Sequence, residues 1–127
     1  MADSAPKPYQ ISFEQRPDYL YACVEGENDS YAISKAYWTE ISLECERVSA
    51  SRVMVDENLT ASGSVAEMYQ IASEIPGMFS GIKIAFVDRH ADQAGLNEFG
   101  ELVAINRGVT GKFFIDAADA EEWLLKD

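Results

Sequence analysis

Strand-like and helix-like patterns alternate along almost the whole chain, and this alternation is the strongest constraint on the fold. Short runs rich in aromatic and β-branched residues are typical of strands, and apolar residues three or four positions apart are typical of helices. Strands that alternate with helices form a largely parallel sheet with right-handed crossovers. The predicted strands cover residues 9–13, 19–24, 52–55, 82–87 and 112–115.

Four helices are predicted around these strands. The second begins with a capping box formed by Ser64 and Glu67 and ends at Pro76, and the fourth follows Asp116 as its cap. The short link between the first two strands favours an antiparallel edge. The sequence therefore predicts an α/β domain over residues 9–127 with a mixed, mostly parallel five-stranded sheet. Its four helices follow the order β-β-α-β-α-β-α-β-α, after a flexible N-terminal tail of residues 1–8.

Charge and length exclude several classes of function. The 127 residues suit one domain, and 10 basic against 22 acidic side chains give a net charge of −12. Such a charge repels nucleic-acid phosphates and anionic lipids, so neither nucleic-acid binding nor membrane insertion is predicted. No apolar stretch approaches the ~20 residues of a membrane span. The N-terminus does not resemble a secretory signal, and a cytoplasmic location is expected.

No sequence motif predicts a metal, a cofactor or a familiar catalytic centre. The chain has no P-loop, G-x-G-x-x-G, G-x-S-x-G or H-E-x-x-H pattern. Cys23 and Cys45 lack the spacing of zinc or redox sites, so buried free thiols are expected, with a disulfide between them left open. Adjacent acidic residues, as in the cluster of Glu25, Glu27 and Asp29, are expected to form solvated surface.

The element order resembles that of the STAS superfamily, in particular bacterial proteins similar to anti-sigma-factor antagonists. The segments that carry the resemblance are RVMVDENLTASGSVAEMY, IKIAFVDRH, FGELVAINRGV and FFIDAADAEEWL. The resemblance implies a non-enzymatic regulatory module that docks a protein partner. It also implies a phosphorylatable Ser or Thr at the start of the second helix. Here Ser62 precedes a glycine as in that pattern, whereas Ala61 stands where the pattern has Asp.

The same layout also resembles a reduced CRAL-TRIO lipid-carrier fold, which implies an apolar ligand held between sheet and helices.

Three hydroxyls, those of Thr60, Ser62 and Ser64, are candidate phosphorylation sites, because a phosphate there would meet free N–H groups of a helix N-terminus. Ser64 equally suits the role of an ordinary helix cap.

Six further residues are candidates for binding a ligand or partner. Four aromatic residues could line an apolar pocket or a partner surface, although periodicity favours core packing for Tyr37. His90 follows a parallel strand beside acidic residues, where it is either a general base or an ordinary loop residue. Arg107 either contacts a ligand anion or caps a helix. The aromatic candidates are Tyr31, Tyr37, Trp38 and Phe86.

Three functional hypotheses make different structural predictions. A regulatory docking module, the first hypothesis, predicts an exposed serine loop and no cavity. A carrier of an apolar ligand, the alternative, predicts an enclosed pocket of roughly a few hundred Å³. An enzyme predicts that His90 meets a carboxylate within hydrogen-bond reach. A second apolar side of the first helix, with Leu43, also suggests a homodimer.

Overall fold

A computed structural model describes residues 7–60 and 64–126, which form one mixed sheet with helices on both faces. The predicted order of strands and helices is confirmed, with a short 3₁₀ helix (Ala91–Gln93) added before the third helix. The strands are β1 (Tyr9–Gln15), β2 (Leu20–Gly26), β3 (Arg52–Leu59), β4 (Lys83–Asp88) and β5 (Thr110–Phe114). The helices are α1 (Tyr31–Val48), α2 (Val65–Met78), α3 (Ala94–Asn106) and α4 (Ala117–Leu124).

The sheet follows the sequence order β1-β2-β3-β4-β5. The β1–β2 pair is antiparallel and the other three pairs are parallel, as the sequence predicted. Because each parallel connection is a single right-handed crossover in the same direction, α1, α2 and α3 lie on one face of the sheet. We call this the three-helix face, and α4 covers the opposite face.

Each face of the sheet has its own apolar core. On the three-helix face, Tyr37, Trp38 and Ile41 of α1 pack against strand residues that include Val53 and Val55. On the α4 face, the core is smaller and consists of Tyr19, Met54, Ala85, Val87, Ala120 and Leu124. Successive side chains of a strand point to opposite faces, so β3 contributes to both cores in alternation.

Strand β3 extends four residues beyond its predicted end. The acidic stretch after Val55 predicted a loop, but Glu57 pairs in register with both Val24 of β2 and Asp88 of β4. The prediction failed because Asp56 and Glu57 are buried beside hydrogen-bond partners, which removes the usual cost of placing carboxyls in a strand.

Two helical predictions are also corrected. Helix α2 continues through Pro76 to Met78. The missing N–H of Pro76 removes one backbone hydrogen bond, and because the proline lies in the last turn it leaves little helix beyond it to bend. The helical spacing of Val65 and Tyr69 in α2 and of Leu102 in α3 favours burial, yet all three are exposed. Ile71 of α2 and Val103 of α3 are buried where the two helices pack together.

The two cysteines are free thiols on opposite faces of the sheet. Cys45 lies in the core of the three-helix face. Cys23 alternates in β2 with Ala22 and Val24, whose side chains belong to that same core, so it points to the α4 face. The sheet therefore separates the two sulfur atoms. Among the described residues, no helix has the length and apolarity needed to cross a membrane.

Candidate functional site

A partly open apolar pocket of about 100 Å³ lies between the three-helix face of the sheet and its helices. We call it the α1–α3 pocket. Helix α1 contributes Trp38, α2 contributes Met68 and Ile71, and the sheet contributes Phe86 and Phe113. Since protein interiors are close-packed and contain few voids larger than a water molecule, a pocket of this size is a candidate ligand site.

Aromatic rings form one side of the α1–α3 pocket. The Trp38 ring stacks on Phe86 at a centroid distance of 5.8 Å, and Phe86 lies 6.3 Å from Phe113. Trp38 is only 5% exposed, although its position at the edge of the predicted stripe left core and pocket equally open. It both packs in the core and faces the pocket, as do Tyr37 and Phe86.

Carboxyl groups lie at the end of the pocket where the parallel strands end. Glu57 is 4% exposed and accepts a hydrogen bond of 2.6 Å from the Tyr37 hydroxyl. The same Tyr37 hydroxyl lies 3.4 Å from Oδ2 of Asp29, so it contacts both carboxyls. Asp29 in turn accepts bonds from the backbone N–H of Ser30 and the hydroxyl of Ser34. These bonds fix the two carboxyls beside each other.

Burial changes the protonation of this carboxyl pair. Loss of water, followed by repulsion from the neighbouring Asp29 carboxylate, raises the pKa of Glu57 well above its ordinary value. Burial also raises the pKa of Asp29, although hydrogen bonds from Ser34 and Ser30 partly offset that effect. Two adjacent buried negative charges are unfavourable, so each of these carboxyls binds its proton more tightly than an isolated carboxyl in water does.

Asp88 is another buried carboxyl on the three-helix face, but its hydrogen bonds join parts of the fold to each other, and it does not line the described part of the pocket. It is fully buried at the end of β4 and accepts bonds from the backbone N–H of His90 and the side-chain amide of Asn97. The His90 imidazole instead contacts Asn58, at 2.8 Å from Nε2 to Oδ1. His90 is not among the described residues that line the α1–α3 pocket, and within residues 7–60 and 64–126 its ring makes no hydrogen bond to a carboxylate.

Of the three candidate phosphorylation sites, the structure describes Ser64 and Thr60. Ser64 is the exposed N-cap of α2, and its capping box with Glu67 is formed in both directions. Ser64 and Glu67 also line the pocket. The Thr60 hydroxyl donates to the backbone carbonyl of Glu27, which ties the end of β3 to the loop before α1. Ser62 lies outside the described residues.

The two remaining candidates occupy different places. Tyr31 lines the pocket, and its hydroxyl donates to Glu74 of α2 at 2.9 Å. Arg107 is not among the residues that line the pocket and is the C-cap residue of α3. Its guanidinium donates to the Tyr69 hydroxyl at 2.8 Å and lies over the Tyr69 ring. The structure thus brings Tyr31, Tyr37, Trp38, Phe86 and Ser64 together, and separates His90 and Arg107 from them.

Sequence reasoning missed the carboxyl pair. Asp29 was assigned to a solvated acidic cluster and Glu57 to a loop. One available signal was the alternation in RVMVDENL, where Glu57 has the same parity as Val53, Val55 and Leu59. No local signal placed Asp29 beside it. In residues 7–60 and 64–126, no group of three or more His, Cys, Asp or Glu side chains is arranged to hold a metal ion.

Comparison with known proteins identifies the fold. No protein-family model matches this sequence, and no curated protein sequence matches it. A similar solved structure is that of an uncharacterised protein of the DUF3478 family with a SpoIIAA-like fold, from Shewanella loihica PV-4. The two are 15% identical with a TM-score of 0.54, over 98% of this chain and 99% of the other. This likeness confirms the predicted α/β architecture, which is that of a SpoIIAA-like fold.

Proposed function

We propose that this chain is a non-enzymatic STAS-like binding module that holds a small apolar molecule in the α1–α3 pocket. The observation that carries the proposal is the pocket itself, about 100 Å³ of space lined mainly by Trp38, Phe86, Phe113 and aliphatic side chains. Apolar cavities of comparable size stay dry and bind apolar molecules; an engineered cavity of ~150 Å³ takes up benzene.

The pocket changes the order of the two binding hypotheses. A docking module was expected to have no cavity, so the presence of one favours the carrier hypothesis. The volume is smaller than the few hundred Å³ expected of a carrier, which favours a ligand no larger than one ring or a short alkyl chain. The contact of His90 with Asn58 rather than a carboxylate removes the arrangement that an enzyme hypothesis required.

Binding of benzyl alcohol tests the carrier proposal. A ligand that binds only the folded protein raises its melting temperature, by an amount that grows with ligand concentration. We expect benzyl alcohol to do so, and to shift the amide NMR signals of residues around Trp38 and Ile71. Replacement of Ala104, which lines the pocket, by Leu should abolish the shift, whereas Ala118→Leu on the exposed surface of α4 should preserve it. Absence of any shift in the unmodified protein would overturn the proposal.

A second candidate function is docking of a protein partner with Ser phosphorylation as the switch. Most of the exposed large hydrophobic side chains in the described part of the chain lie on α2 and α3, namely Val65, Tyr69, Leu102 and Ile105. Val65, the first of these residues, directly follows the Ser64 cap of α2. A phosphate on Ser64 would carry about −1.5 to −2 charges next to the Glu67 carboxylate and would disrupt the capping box.

Mass spectrometry of protein isolated from its own host tests this second function. Phosphate mapped to Thr60, Ser62 or Ser64 would support the switch, and unmodified peptides in every growth condition would contradict it. Sedimentation tests whether the partner is a second copy of the chain. A homodimer that Leu102→Glu dissociates would assign the exposed residues of α2 and α3 to the dimer interface. A monomer at all concentrations would leave only a different protein as the partner.

A further inference from the structure

The α1–α3 pocket is apolar along most of its length and carries acceptor groups at one end. Asp29 and Glu57 line it together with the aromatic rings of Trp38 and Phe86. Carboxyl oxygens are hydrogen-bond acceptors, so this end of the pocket is acidic and presents acceptor atoms to a ligand. A ligand that fills the pocket therefore meets an apolar surface and an acidic one at the same time.

The other charged residues around the pocket do not neutralise this end. Glu101 is engaged by the backbone N–H of Phe113, at 2.8 Å. Glu67 is engaged by the backbone N–H groups of Ser64 and, at 3.3 Å, Tyr31. Lys112 contributes to the lining, but its ammonium group lies over the Phe114 ring, which belongs to the core on the α4 face. Lys112 is the one basic residue in the described pocket lining, so no basic side chain there balances the two carboxyls.

The aromatic side of the pocket has a matching preference. The faces of aromatic rings carry partial negative charge and attract cations, most strongly when water is excluded. Trp38 and Phe86 stack with an interplanar angle of 25°, and Tyr37 lies 5.8 Å from Trp38. The rings and the carboxyls therefore favour the same kind of ligand, a cation with an apolar body.

We propose that the ligand of the α1–α3 pocket is a small apolar primary amine, bound as its ammonium ion. The ammonium group donates its hydrogen bonds to Asp29 and Glu57, and the apolar body lies against Trp38 and Phe86. The inference rests on the proposed carrier function and adds the chemical class of the ligand. An ammonium group offers three donors and no acceptor, which suits a site made of acceptors. An anionic ligand of the same size is repelled by the same carboxyls.

A series of matched ligands tests the inference on the unmodified protein. Benzylamine, benzyl alcohol and benzoate have the same ring and differ in the charge of one substituent, and isobutylamine, isobutanol and isobutyrate repeat the comparison on a smaller body. Affinities measured by calorimetry at pH 7 should place each amine about 10- to 100-fold above its alcohol, as expected for a hydrogen bond to a charged group. The carboxylates should show no binding.

Two variants assign the preference to the carboxyl pair. Glu57→Gln and Asp29→Asn keep the side-chain size and one acceptor oxygen. Each should reduce the amine preference, and the double variant should remove most of it, while alcohol binding stays unchanged. Glu98→Gln, on the exposed surface of α3, is the matched control and should keep the full preference. Heteronuclear NMR spectra verify that each variant is folded.

The outcomes separate this inference from the carrier proposal. If the alcohols bind as tightly as the amines, the pocket is a carrier site and the amine inference is wrong. If the amines bind more tightly but Glu57→Gln and Asp29→Asn leave their affinity unchanged, the cation is bound elsewhere and the inference is also wrong. If no member of either series binds, both proposals fail.

Discussion

The hydroxyl of Tyr37 on α1 donates a hydrogen bond of 2.6 Å to Oε2 of Glu57 on β3, inside the core of the three-helix face. The same kind of bond recurs through the molecule, because five of its six tyrosines donate to a carboxyl group. These pairs are Tyr9–Glu40, Tyr19–Glu121, Tyr21–Asp56, Tyr31–Glu74 and Tyr37–Glu57. Five of the acidic side chains therefore accept hydrogen bonds that join separate parts of the fold.

Removal of the Tyr37 hydroxyl should destabilise the protein. Tyr37→Phe keeps the buried ring but leaves the Glu57 carboxyl without its donor, and we expect a loss of about 1.5–3 kcal/mol in the free energy of unfolding. Urea unfolding followed by circular dichroism measures the loss. Tyr69→Phe is the control, since Tyr69 is exposed and should lose no more than ~0.5 kcal/mol. Equal losses in the two variants would show that the Tyr37–Glu57 hydrogen bond contributes no more to the free energy of unfolding than an exposed tyrosine hydroxyl does.

Glu57 should make stability depend on pH above the range in which ordinary carboxyls titrate. Its pKa is raised from 4.5 chiefly by burial, so between pH 4.5 and the raised value the folded protein binds more protons than the unfolded chain. The free energy of unfolding must therefore fall as the pH rises through that interval. Asp29, whose pKa is also raised by burial, adds to the same slope.

Glu57→Gln should reduce this pH dependence and stabilise the protein at pH 8, because the variant no longer loses a proton inside the core. Denaturant unfolding at a series of pH values between 5 and 8 gives the slope directly. Glu98→Gln on the exposed part of α3 should leave the slope of the natural protein unchanged. A natural protein whose stability rises with pH over this range would contradict the prediction.

Two glycines of α3 should respond oppositely to replacement by alanine. A Cβ atom on Gly100 would lie 2.5 Å from Met68 Sδ and 3.2 Å from its Cγ, so the Met68 side chain would have to move. Overpacking of this kind costs about 1–3 kcal/mol, and the flexibility of methionine favours the lower end. Gly100 and Met68 both line the pocket, so Gly100→Ala should also weaken benzyl alcohol binding.

The control for Gly100 is Gly95→Ala on the same helix. No atom lies within 4 Å of a Cβ placed there, and alanine favours helix, so stability should rise by up to ~1 kcal/mol. Thermal unfolding of both variants, with and without benzyl alcohol, measures the two effects together. If both variants gained stability and kept full binding, the close contact between α2 and α3 would be refuted.

Two substitutions of Ser64, the N-cap of α2, distinguish a structural role of this residue from a regulatory one. Ser64→Ala should lower the free energy of unfolding by about 0.5–2 kcal/mol, because the N–H of Glu67 loses its acceptor. Ser64→Asp should remain near the natural stability, since aspartate is an equally good cap and suits the positive helix end. Ser80→Ala, in an exposed turn, is the control for general effects of removing a hydroxyl.

The relation between the two Ser64 variants decides the interpretation. If Ser64→Asp is as unstable as Ser64→Ala, the cap does not act as described and any change of partner binding in Ser64→Asp reflects a damaged helix. If it is stable, a change of binding reports the added charge.

Much of the fold was accessible to sequence reasoning because the signals are local. The helical spacing of Ile33, Tyr37, Ile41, Cys45 and Val48 predicts a buried stripe on α1, and three of these five residues are fully buried. The capping box of Ser64 and Glu67 predicted the start of α2, and both of its hydrogen bonds are present. Caps and periodicity involve residues within one turn or one strand, so the sequence carries them directly.

The errors occurred where distant residues decide the outcome. The acidic end of β3 was predicted to be a loop, because a carboxyl in a central strand is unfavourable without partners. Those partners, Tyr37 and Tyr21, come from other elements. In the same way, Tyr69 and Leu102 have helical spacing that favours burial, but the packing of α2 beside α3 leaves both exposed.

The sequence by itself therefore determined the order of the elements, the mostly parallel sheet and the cap of α2, since each depends on patterns within a short stretch of chain. Only the tertiary structure decided that Asp29 and Glu57 lie together at one end of an aromatic pocket. That meeting depends on the register of β3 against its neighbours and on how α1, α2 and α3 pack over the sheet. Both are set by side-chain packing across the whole domain, which no local pattern encodes.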